Sequence, residues 1–511
     1  MTRTPPQGYL LSLAPDAIDV LRLSGLPDLE ALAEEVQTLA PNDVTPPRLL
    51  ATGSARPDVL SAVLSVDSLD RLRCRHGKAL HVEHDPIYRH QAGPMATRDL
   101  PVPEVAATQD APSLPRLFLR VTDASGTPLP HVRLHAEGTG LDKGITGVTD
   151  MRGLAQLPLP SENPAAVSRL SVLPCAGFWP RRLIRPVLRP TPPGAPPRIN
   201  TIILRCLQSP FGTLPDPGLE AMGLEDAPLL TLPGTHPVRV AVLDPGAAPP
   251  PFAIERVESG ALVEGWTRAS ASPSLAAALV AAAAPGVSLQ VLQLGPRPRA
   301  SDLIGAINWC LTAGIDLLGL GFATETPCAA LSASLARARA QGLVVVAPGG
   351  DSGGAVLYPA AEPVVLSVGA WSGRRIAANH LPERTTGRVA EFSARGTALD
   401  LVAPGAGLVL PAACGPAAHD GTALSSALVT GFLARLLQTE PDLAQSPRTR
   451  SRAAALCAEL FSRCHSMGLA PEACAFGLPV WDALRMTPES DCPVPAVFSR
   501  PRLSMGADQT A

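Results

Sequence analysis

The pattern of apolar and polar positions first changes near residue 90 of the 511 residues. Before that point, a short apolar run at residues 9–13 is followed by helix-like spacing over 29–36 and by a strand-like run at 59–64. A second helical stretch and a last strand-like run, 79–88, complete the segment. These alternating elements predict a small α+β domain over residues 1–90, followed by a linker over 91–115.

The middle of the chain is dominated by short strand-like runs separated by turns. Residues 117–123, 132–136 and 201–205 have strand character, and the Gly- and Pro-containing stretch 124–130 predicts a turn. The pattern predicts a small β-sandwich over 116–206. The chain has 57 prolines, about twice the usual share of ~5%, and we assign residues 207–234 to a second linker.

From residue 235 to residue 485 strands and helices alternate, and the strands are continuous apolar runs. This rhythm is typical of a doubly wound parallel sheet in an α/β domain, with sites at the ends of its strands. The uncharged stretch 269–296 is divided by Pro285 and Gly286, so it predicts a buried helix, a turn and a buried strand rather than a membrane span. Residues 486–511 are assigned to a tail.

Composition narrows the classes of partner. The formal net charge is only −3 and no long run of Lys or Arg occurs, so neither nucleic acid nor an anionic membrane is expected as a partner. The ten cysteines form no CxxC pair, which favours reduced structural thiols over a zinc site. His131 and His135 alternate on one predicted strand, but we expect no metal and no cofactor. The first residues lack the features of a secretory signal, so a cytoplasmic location is the expectation.

Six motifs in the third part occur in the order found in subtilisin-like serine proteases (subtilases, peptidase family S8). They are VAVLDPG at 240–246, GLVVVAPGGDSGG at 342–354, YPAAEPVVLSVGAW at 358–371, FSARGTALDLVAPGAG at 392–407, DGTALSSALVTGFLARLL at 420–437 and FGLPVWDAL at 476–484. The third part thus resembles a bacterial subtilase. The resemblance implies a subtilisin-like fold and places Asp244 at the position of the triad acid, which orients the catalytic histidine.

The two preceding parts also resemble known modules. Residues 1–90, with their V-E-x-D ending at 82–85, resemble the propeptide inhibitor domain of subtilases, which is a ferredoxin-like α+β unit. An unrelated α+β module is the alternative. Residues 116–206 resemble a carboxypeptidase-regulatory-like sandwich, because the turns D-x-x-G-x-P-L and T-D-x-x-G recur in that family.

Three positions depart from the catalytic pattern that the resemblance implies. Ser272 stands where the histidine is expected, and no histidine occurs between His236 and His380. Ala423 replaces the serine nucleophile, and Asp351 replaces the asparagine that donates to the oxyanion. In subtilisin, loss of either serine or histidine costs about 10⁶-fold in kcat. A deliberate substitution of serine by alanine would explain Ala423, but it would not explain the missing histidine.

The remainder of the protease-like part still predicts a peptide-binding cleft. The resemblance assigns its two walls to Gly321-Phe322-Ala323 and to Pro348-Gly349-Gly350, which pair with an extended peptide. His419 is expected near the altered site, and with Asp244, Asp351 and Asp420 it offers an alternative cluster for a cation or for acid–base chemistry.

The leading hypothesis is a pseudoprotease that acts as a peptide- or protein-binding or regulatory protein. Its cleft would hold a peptide or its own N-terminal domain, which is expected to stay attached and docked. The alternatives are a serine endopeptidase or other hydrolase with a rearranged site, and a scaffold partner of an active protease.

Overall fold

A computed structural model describes most of the chain outside its termini and several connecting segments. The described residues are 7–13, 29–39, 46–53, 56–93, 114–159, 163, 166–174, 177–206, 217–224, 238–245, 274–295, 297–376, 384–412, 415–465 and 471–481.

The elements are numbered in chain order. The helices are α1 (Leu29–Leu39), α2 (Val66–His76), α3 (Pro217–Ala221), α4 (Leu275–Ala283), α5 (Ala300–Ala313), α6 (Ala329–Ala340), α7 (Thr422–Thr439), α8 (Pro441–Gln445), α9 (Arg450–Ser462) and α10 (Pro471–Cys474). The first strands are β1 (Gln7–Leu13), β2 (Arg48–Leu50), β3 (Val59–Leu64), β4 (Leu80–His84), β5 (Arg89–His90), β6 (Arg116–Thr122), β7 (Arg133–Gly138), β8 (Leu141–Val148), β9 (Leu154–Pro158), β10 (Val167–Leu173), β11 (Arg181–Ile184) and β12 (Ile199–Ile203). The later strands are β13 (Arg239–Asp244), β14 (Ser288–Gln293), β15 (Leu317–Leu320), β16 (Phe322–Ala323), β17 (Val344–Pro348), β18 (Leu366–Ile376), β19 (Arg384–Val389), β20 (Leu401–Pro404), β21 (Leu408–Ala412), β22 (Gly415–His419), β23 (Cys464–His465) and β24 (Leu478–Pro479).

The chain divides into two compact units that both cross the predicted domain boundaries. The first unit comprises Met1–Gln91, Ala221–Ala403 and Thr422–Ala511. The second comprises Ala92–Glu220 and Pro404–Gly421. Residues 404–421, which the sequence assigns to the protease-like domain, therefore belong by their contacts to the second unit.

A seven-stranded sheet forms the centre of the first unit. Its order is β14-β13-β15-β17-β18-β19, with β20 beside β18. Neighbouring strands from β14 to β18 run parallel, and β19 runs antiparallel to β18. The continuous apolar runs explain this arrangement, because parallel strands between helices are buried on both faces. The expected α/β fold with a largely parallel sheet is confirmed for this region.

Helix α7 is the most deeply buried helix among the described residues, from Thr422 to Gln438. Small residues let it approach its neighbours. A Cβ built on Gly431 would lie 2.5 Å from Cβ of Ala283 in α4, and one on Gly319 would lie 2.9 Å from Oγ1 of Thr430. The middle of α7 is thereby packed closely against α4 and β15.

The uncharged stretch forms α4, a turn at Pro285 and Gly286, and β14, as its pattern predicts. Ser274 caps α4, since its hydroxyl accepts a hydrogen bond from the amide of Ala277. No helix within the described ranges is long and apolar enough to cross a membrane.

The N-terminal part of the first unit has its own sheet. Strands β2, β3, β1 and β4 lie side by side in this order and their pairs are antiparallel. Helices α1 and α2 occur in the order β-α-β-β-α-β, and the core includes Tyr9, Leu11, Leu32 and Leu60. Ser65 caps α2 by accepting a hydrogen bond from the amide of Ser68.

The second unit contains the hairpin β21-β22 and two larger sheets around one apolar core. The orders of the larger sheets are β11-β10-β7-β8 and β12-β6-β9. The core takes alternate residues of the strands, including Leu117, Leu119 and Val121 of β6. His131 lies in a turn with φ of 58° before β7, so it does not alternate with His135 on one strand as the sequence predicts.

Candidate peptide-binding cleft

The candidate site of the first unit lies at the carboxyl edge of the parallel sheet, where sites of doubly wound folds are built. Asp244 is the last residue of β13 and is 3% exposed, and Pro348 is the last residue of β17. Ser272, the predicted replacement of the histidine, lies outside the described residues. The structure thus describes Asp244 and Ala423, which are predicted at the acid and nucleophile positions, but not Ser272, which is predicted at the histidine position.

Asp351 binds the beginning of α7. Its Oδ1 accepts hydrogen bonds from the amide nitrogen of Thr422 at 2.8 Å and from the hydroxyl of Thr422 at 2.7 Å. The amide of Gly350 donates to the same hydroxyl at 3.3 Å. A carboxylate is favourable here because the first amides of a helix carry partial positive charge. Asp351 therefore ties the loop after β17 to the turn that carries Ala423.

Replacing Asp351 by alanine is expected to destabilise the chain by about 1–3 kcal/mol, because two buried donors of Thr422 lose their acceptor. The variant Asp351→Asn keeps an acceptor oxygen at this position, so it is expected to lose less than half as much. Urea unfolding of both variants measures the difference. Equal stability of Asp351→Ala and the parent chain would show that the tie contributes nothing.

Ala423 is the second residue of α7 and is 2% exposed. Its methyl group is not a nucleophile. Its backbone amide donates a hydrogen bond to the carbonyl oxygen of Gln91 at 3.1 Å. In serine proteases the amide of the nucleophile residue stabilises the oxyanion. The amide that the subtilase resemblance predicts as an oxyanion donor is therefore bonded to a carbonyl oxygen of the chain itself.

The serines after Ala423 are buried in α7. The Ser426 hydroxyl lies 2.9 Å from the carbonyl oxygens of both Leu320 and Ala423. Ser425 is fully buried as well. This placement agrees with the interpretation that both serines pack within the helix region.

The first predicted wall of the cleft pairs with a segment of the same chain. Strand β5 runs antiparallel to β16, with His90 opposite Phe322 and Arg89 opposite Ala323. The amide of Gln91 extends the pairing by donating to the carbonyl oxygen of Gly321 at 2.9 Å. Residues that the sequence assigns to a domain end and a linker thus form a strand added to the wall.

The second predicted wall makes different contacts from those expected. The amide of Gly349 donates to Val368, and its carbonyl oxygen accepts from Leu357, so these groups are used within the sheet and its loop. The amide of Asp351 instead donates to Oε1 of Gln91 at 3.1 Å. The Gly349 backbone groups thus have partners within the chain, and pairing of Pro348, Gly349 and Gly350 with an extended peptide stays a prediction.

The segment before β5 is also held by residues of the first unit. Tyr88 is fully buried, and its amide donates to the carbonyl oxygen of Pro298 at 2.7 Å. Ile87 forms an antiparallel bridge with Arg299. Burial is the main cause that raises the pKa of the Tyr88 hydroxyl, so this side chain stays neutral at physiological pH.

Two carboxylates at the end of the N-terminal sheet bind the first turns of two helices. Glu83 accepts from the amides of Ala329 and Ala330, at 2.6 and 3.2 Å, at the start of α6. Asp85 accepts from the amide and the hydroxyl of Ser301, at 3.0 and 2.7 Å, at the start of α5. Desolvation by burial raises the pKa of Asp85, although the bonds from Ser301 lower it in part.

His419 and Asp420 lie in the second unit. His419 ends β22, where it pairs with Leu408. Asp420 accepts from the amide of Gly407 at 2.7 Å, and burial raises its pKa despite that bond and the charge of Arg182. Among the residues that the structure describes, no group of three His, Cys, Asp or Glu side chains is arranged to hold a metal ion. Nothing in the described geometry therefore supports the alternative cluster.

Gly93 packs against Asp420 within the second unit. Its φ is +74°, and a Cβ built on it would lie 2.6 to 2.7 Å from the backbone carbon, the Cβ and the carbonyl oxygen of Asp420. Only glycine fits this position without displacing backbone. The chain immediately after Gln91 thus runs close along the residue that precedes the Gly421-Thr422-Ala423 turn.

Sequence reasoning missed Gln91 and the role of Thr422. Gln91 had no local signal, since its partners Gly321, Asp351 and Ala423 are all more than 200 residues away in the chain. The V-E-x-D ending did mark Glu83 and Asp85, but the two helices that they bind were not predicted.

Comparison with known proteins identifies the family of the protease-like region. Residues 264–456 match the family model described as Subtilase family. Subtilisin E of Bacillus subtilis (strain 168) is 27% identical over 181 residues, which cover 34% of this chain and 44% of that protein. Subtilisin of Bacillus pumilus is 28% identical over 160 residues, 30% of this chain and 54% of that protein. Subtilisin Savinase of Lederbergia lenta is 29% identical over 178 residues, 34% of this chain and 61% of that protein.

The matched region spans about half the length of these curated relatives. It begins after Asp244 and includes the loop of Asp351 and the turn of Ala423. Together with the parallel sheet, the match shows that residues 264–456 of this chain are similar to the subtilase family.

Proposed function

We propose that the protein is a catalytically inactive subtilase whose cleft is occupied by its own chain, so that it acts by binding or regulation rather than by cleavage. The observation that carries the proposal is the bond from the Ala423 amide to the Gln91 carbonyl oxygen. At this position the amide of the oxyanion site is retained, and the peptide that it binds is uncut. A methyl group stands in place of the nucleophile. The nearest candidate for a scissile bond, Gln91-Ala92, therefore meets no attacking group.

The missing base supports the same proposal. No histidine occurs between residues 236 and 380, so restoring a serine alone does not restore the histidine that accepts its proton in the family pattern. Asp351 cannot replace the lost oxyanion donor while its carboxylate accepts hydrogen bonds from Thr422. The predicted positions of the nucleophile, the base and the side-chain oxyanion donor thus all differ from the subtilase pattern.

We further propose that residues 1–91 act as a retained propeptide-like inhibitor domain. The connectivity β-α-β-β-α-β with strand order β2-β3-β1-β4 is that of ferredoxin-like units. The contacts of Glu83, Asp85 and Tyr88 with the remainder of the first unit support stable docking. Because the chain cannot cut itself, this domain is expected to remain covalently attached.

The test is fluorophosphonate labelling of the intact chain, combined with intact mass after long incubation. We expect no labelled serine and a mass of 52.9 kDa that does not change. Labelling of any serine, or self-cleavage between residues 88 and 115, would overturn the proposal and favour a hydrolase with a rearranged site.

The variant Ala423→Ser makes the same experiment sharper. Since the base is absent, we expect its peptidase activity to stay about 10⁶-fold below that of an intact subtilase. Subtilisin labelled under the same conditions is the positive control. Substantial activity of Ala423→Ser would show that another group supplies the base, and that only the nucleophile separates this chain from an enzyme.

A further inference from the structure

Residues 114–206, one part of the second unit, carry a charge that differs from that of the whole chain. Residues 114–206 contain twelve Lys and Arg against five Asp and Glu, a net charge of +7, whereas the whole chain has −3. No long run of basic residues reveals this, because the arginines are spread over several strands and turns. The excess becomes a surface property only through the fold.

Strand β12 brings part of this charge together with exposed apolar side chains. Ile199, Thr201 and Ile203 face outward, and the two isoleucines are 46% and 50% exposed. In the parallel register with β6, Ile199 lies opposite Phe118 and Thr201 lies opposite the exposed Arg120. The outer face of the sheet thus alternates apolar and basic positions.

Three further arginines border the same strand. The backbone of Arg189 exchanges hydrogen bonds with the side chain of Asn200, which also donates to the carbonyl oxygen of Arg198. At the other end of the strand, the Arg181 guanidinium donates to the carbonyl oxygen of Ile203. We call this surface the β12 face: Ile199, Thr201 and Ile203 with Arg120, Arg181, Arg189 and Arg198.

The carboxylates near the β12 face are engaged in turns. Asp123 follows the last residue of β6 and accepts from the amides of Ser125 and Thr127. Asp150 accepts from the amides of Arg152 and Leu154. Neither forms an ion pair with the four arginines among the contacts within the described residues, so the positive charge of the face is not neutralised locally.

We propose that the β12 face is a docking surface for an acidic segment of a partner protein, with carboxylates on the arginines and apolar side chains against Ile199 and Ile203. Charge complementarity selects an acidic ligand, and half-exposed isoleucines gain only from a ligand with apolar side chains of its own. A single-stranded nucleic acid would instead favour exposed aromatic rings for stacking. Among the described residues, the exposed large apolar side chains include no aromatic ring.

The proposal is tested with the intact chain and a fluorescein-labelled peptide of alternating Glu and Val, ten residues long, by fluorescence anisotropy. We expect binding that weakens at least about tenfold between low and 0.5 M salt, because exposed charges are screened. The double variant R120E/R198E is expected to bind at least about tenfold more weakly. The double variant I199S/I203S is expected to bind about three- to tenfold more weakly at every salt concentration.

The control R71E makes the same type of charge change on the exposed side of α2, and it is expected to leave binding unchanged. Absence of peptide binding, or equal losses for R71E and R120E/R198E, would overturn the proposal. Tighter binding of a ten-nucleotide oligo(dT) or of phosphatidylserine vesicles, lost in R120E/R198E, would also overturn it, since it would assign the face to a different class of partner. None of these outcomes depends on the cleft or on Ala423.

Discussion

Replacing both Glu83 and Asp85 by alanine is expected to release the segment in the cleft. In the parent chain the two carboxylates accept four hydrogen bonds at the starts of α5 and α6. Their loss leaves the amide and the hydroxyl of the buried Ser301 without an acceptor, at a cost of about 1–3 kcal/mol, and removes a helix cap worth about 1 kcal/mol at α6. The opening free energy of β5 should therefore fall by about 2–4 kcal/mol.

Hydrogen exchange of the full chain measures this change at the Gln91 amide, which donates to Gly321. A loss of 2–4 kcal/mol corresponds to exchange that is about 30- to 1,000-fold faster. Amides of β3 serve as the internal reference, because the N-terminal sheet itself should stay folded. Unchanged exchange at Gln91 would mean that the segment is held without these two carboxylates.

The variant Asp85→Asn is the matched control. Burial raises the pKa of Asp85, so the charged form is less favourable in the folded chain than it is in the unfolded chain. A raised pKa contributes stability that is fully present below the ordinary value of 3.8 and is lost as the pH rises through the folded value. At neutral pH the uncharged amide should therefore hold the segment at least as well as the carboxylate does, while Asp85→Ala should not.

The second large effect is expected from Gly93→Ala. A Cβ at this position would lie 2.6 Å from the backbone carbon of Asp420, and φ is +74°. The left-handed conformation costs an alanine about 1–2 kcal/mol, and relieving the overlap costs about 1–3 kcal/mol more. The variant should thus destabilise the contact between residue 93 and Asp420 by about 2–5 kcal/mol and expose residues 92–93 to added protease.

Gly126→Ala separates the two contributions. Gly126 also has a positive φ, +88°, but nothing lies within 4 Å of a Cβ built on it. It should cost only the about 1–2 kcal/mol of the backbone conformation. Limited proteolysis and thermal unfolding of both variants measure the difference. If Gly93→Ala behaves like Gly126→Ala, the close approach to Asp420 does not hold the chain.

The sequence predicted elements better than it predicted contacts. The buried helix–turn–strand pattern before residue 296 and the parallel strands were readable, because burial on both faces leaves apolar runs in the sequence. The same local reasoning placed residues 89–91 at a domain end and the start of a linker, since the two-residue strand β5 has no periodicity of its own. It also kept 404–421 with the protease-like domain, whereas this segment packs within the second unit.

The candidate site shows the same difference between the elements that the sequence predicted and the contacts that it did not. Gly321, Phe322 and Ala323 were assigned to a peptide-binding wall, and an extended segment does pair with them. Pro348, Gly349 and Gly350 were assigned to the opposite wall, but the Gly349 backbone groups bind Val368 and Leu357. A motif marks a loop, but it does not tell which of that loop's amides remain free after the loop has folded.

The sequence by itself determined which residues stand at the predicted catalytic positions: alanine at 423, aspartate at 351, and no histidine between residues 236 and 380. These residues lie in an ordered series of motifs and do not depend on packing. Only the tertiary structure decided what the groups at these positions contact. The Gln91 carbonyl lies on the Ala423 amide, and Asp351 binds Thr422, because hydrogen bonds between residues 71 to more than 300 positions apart depend on the folded sheet that brings strand ends together.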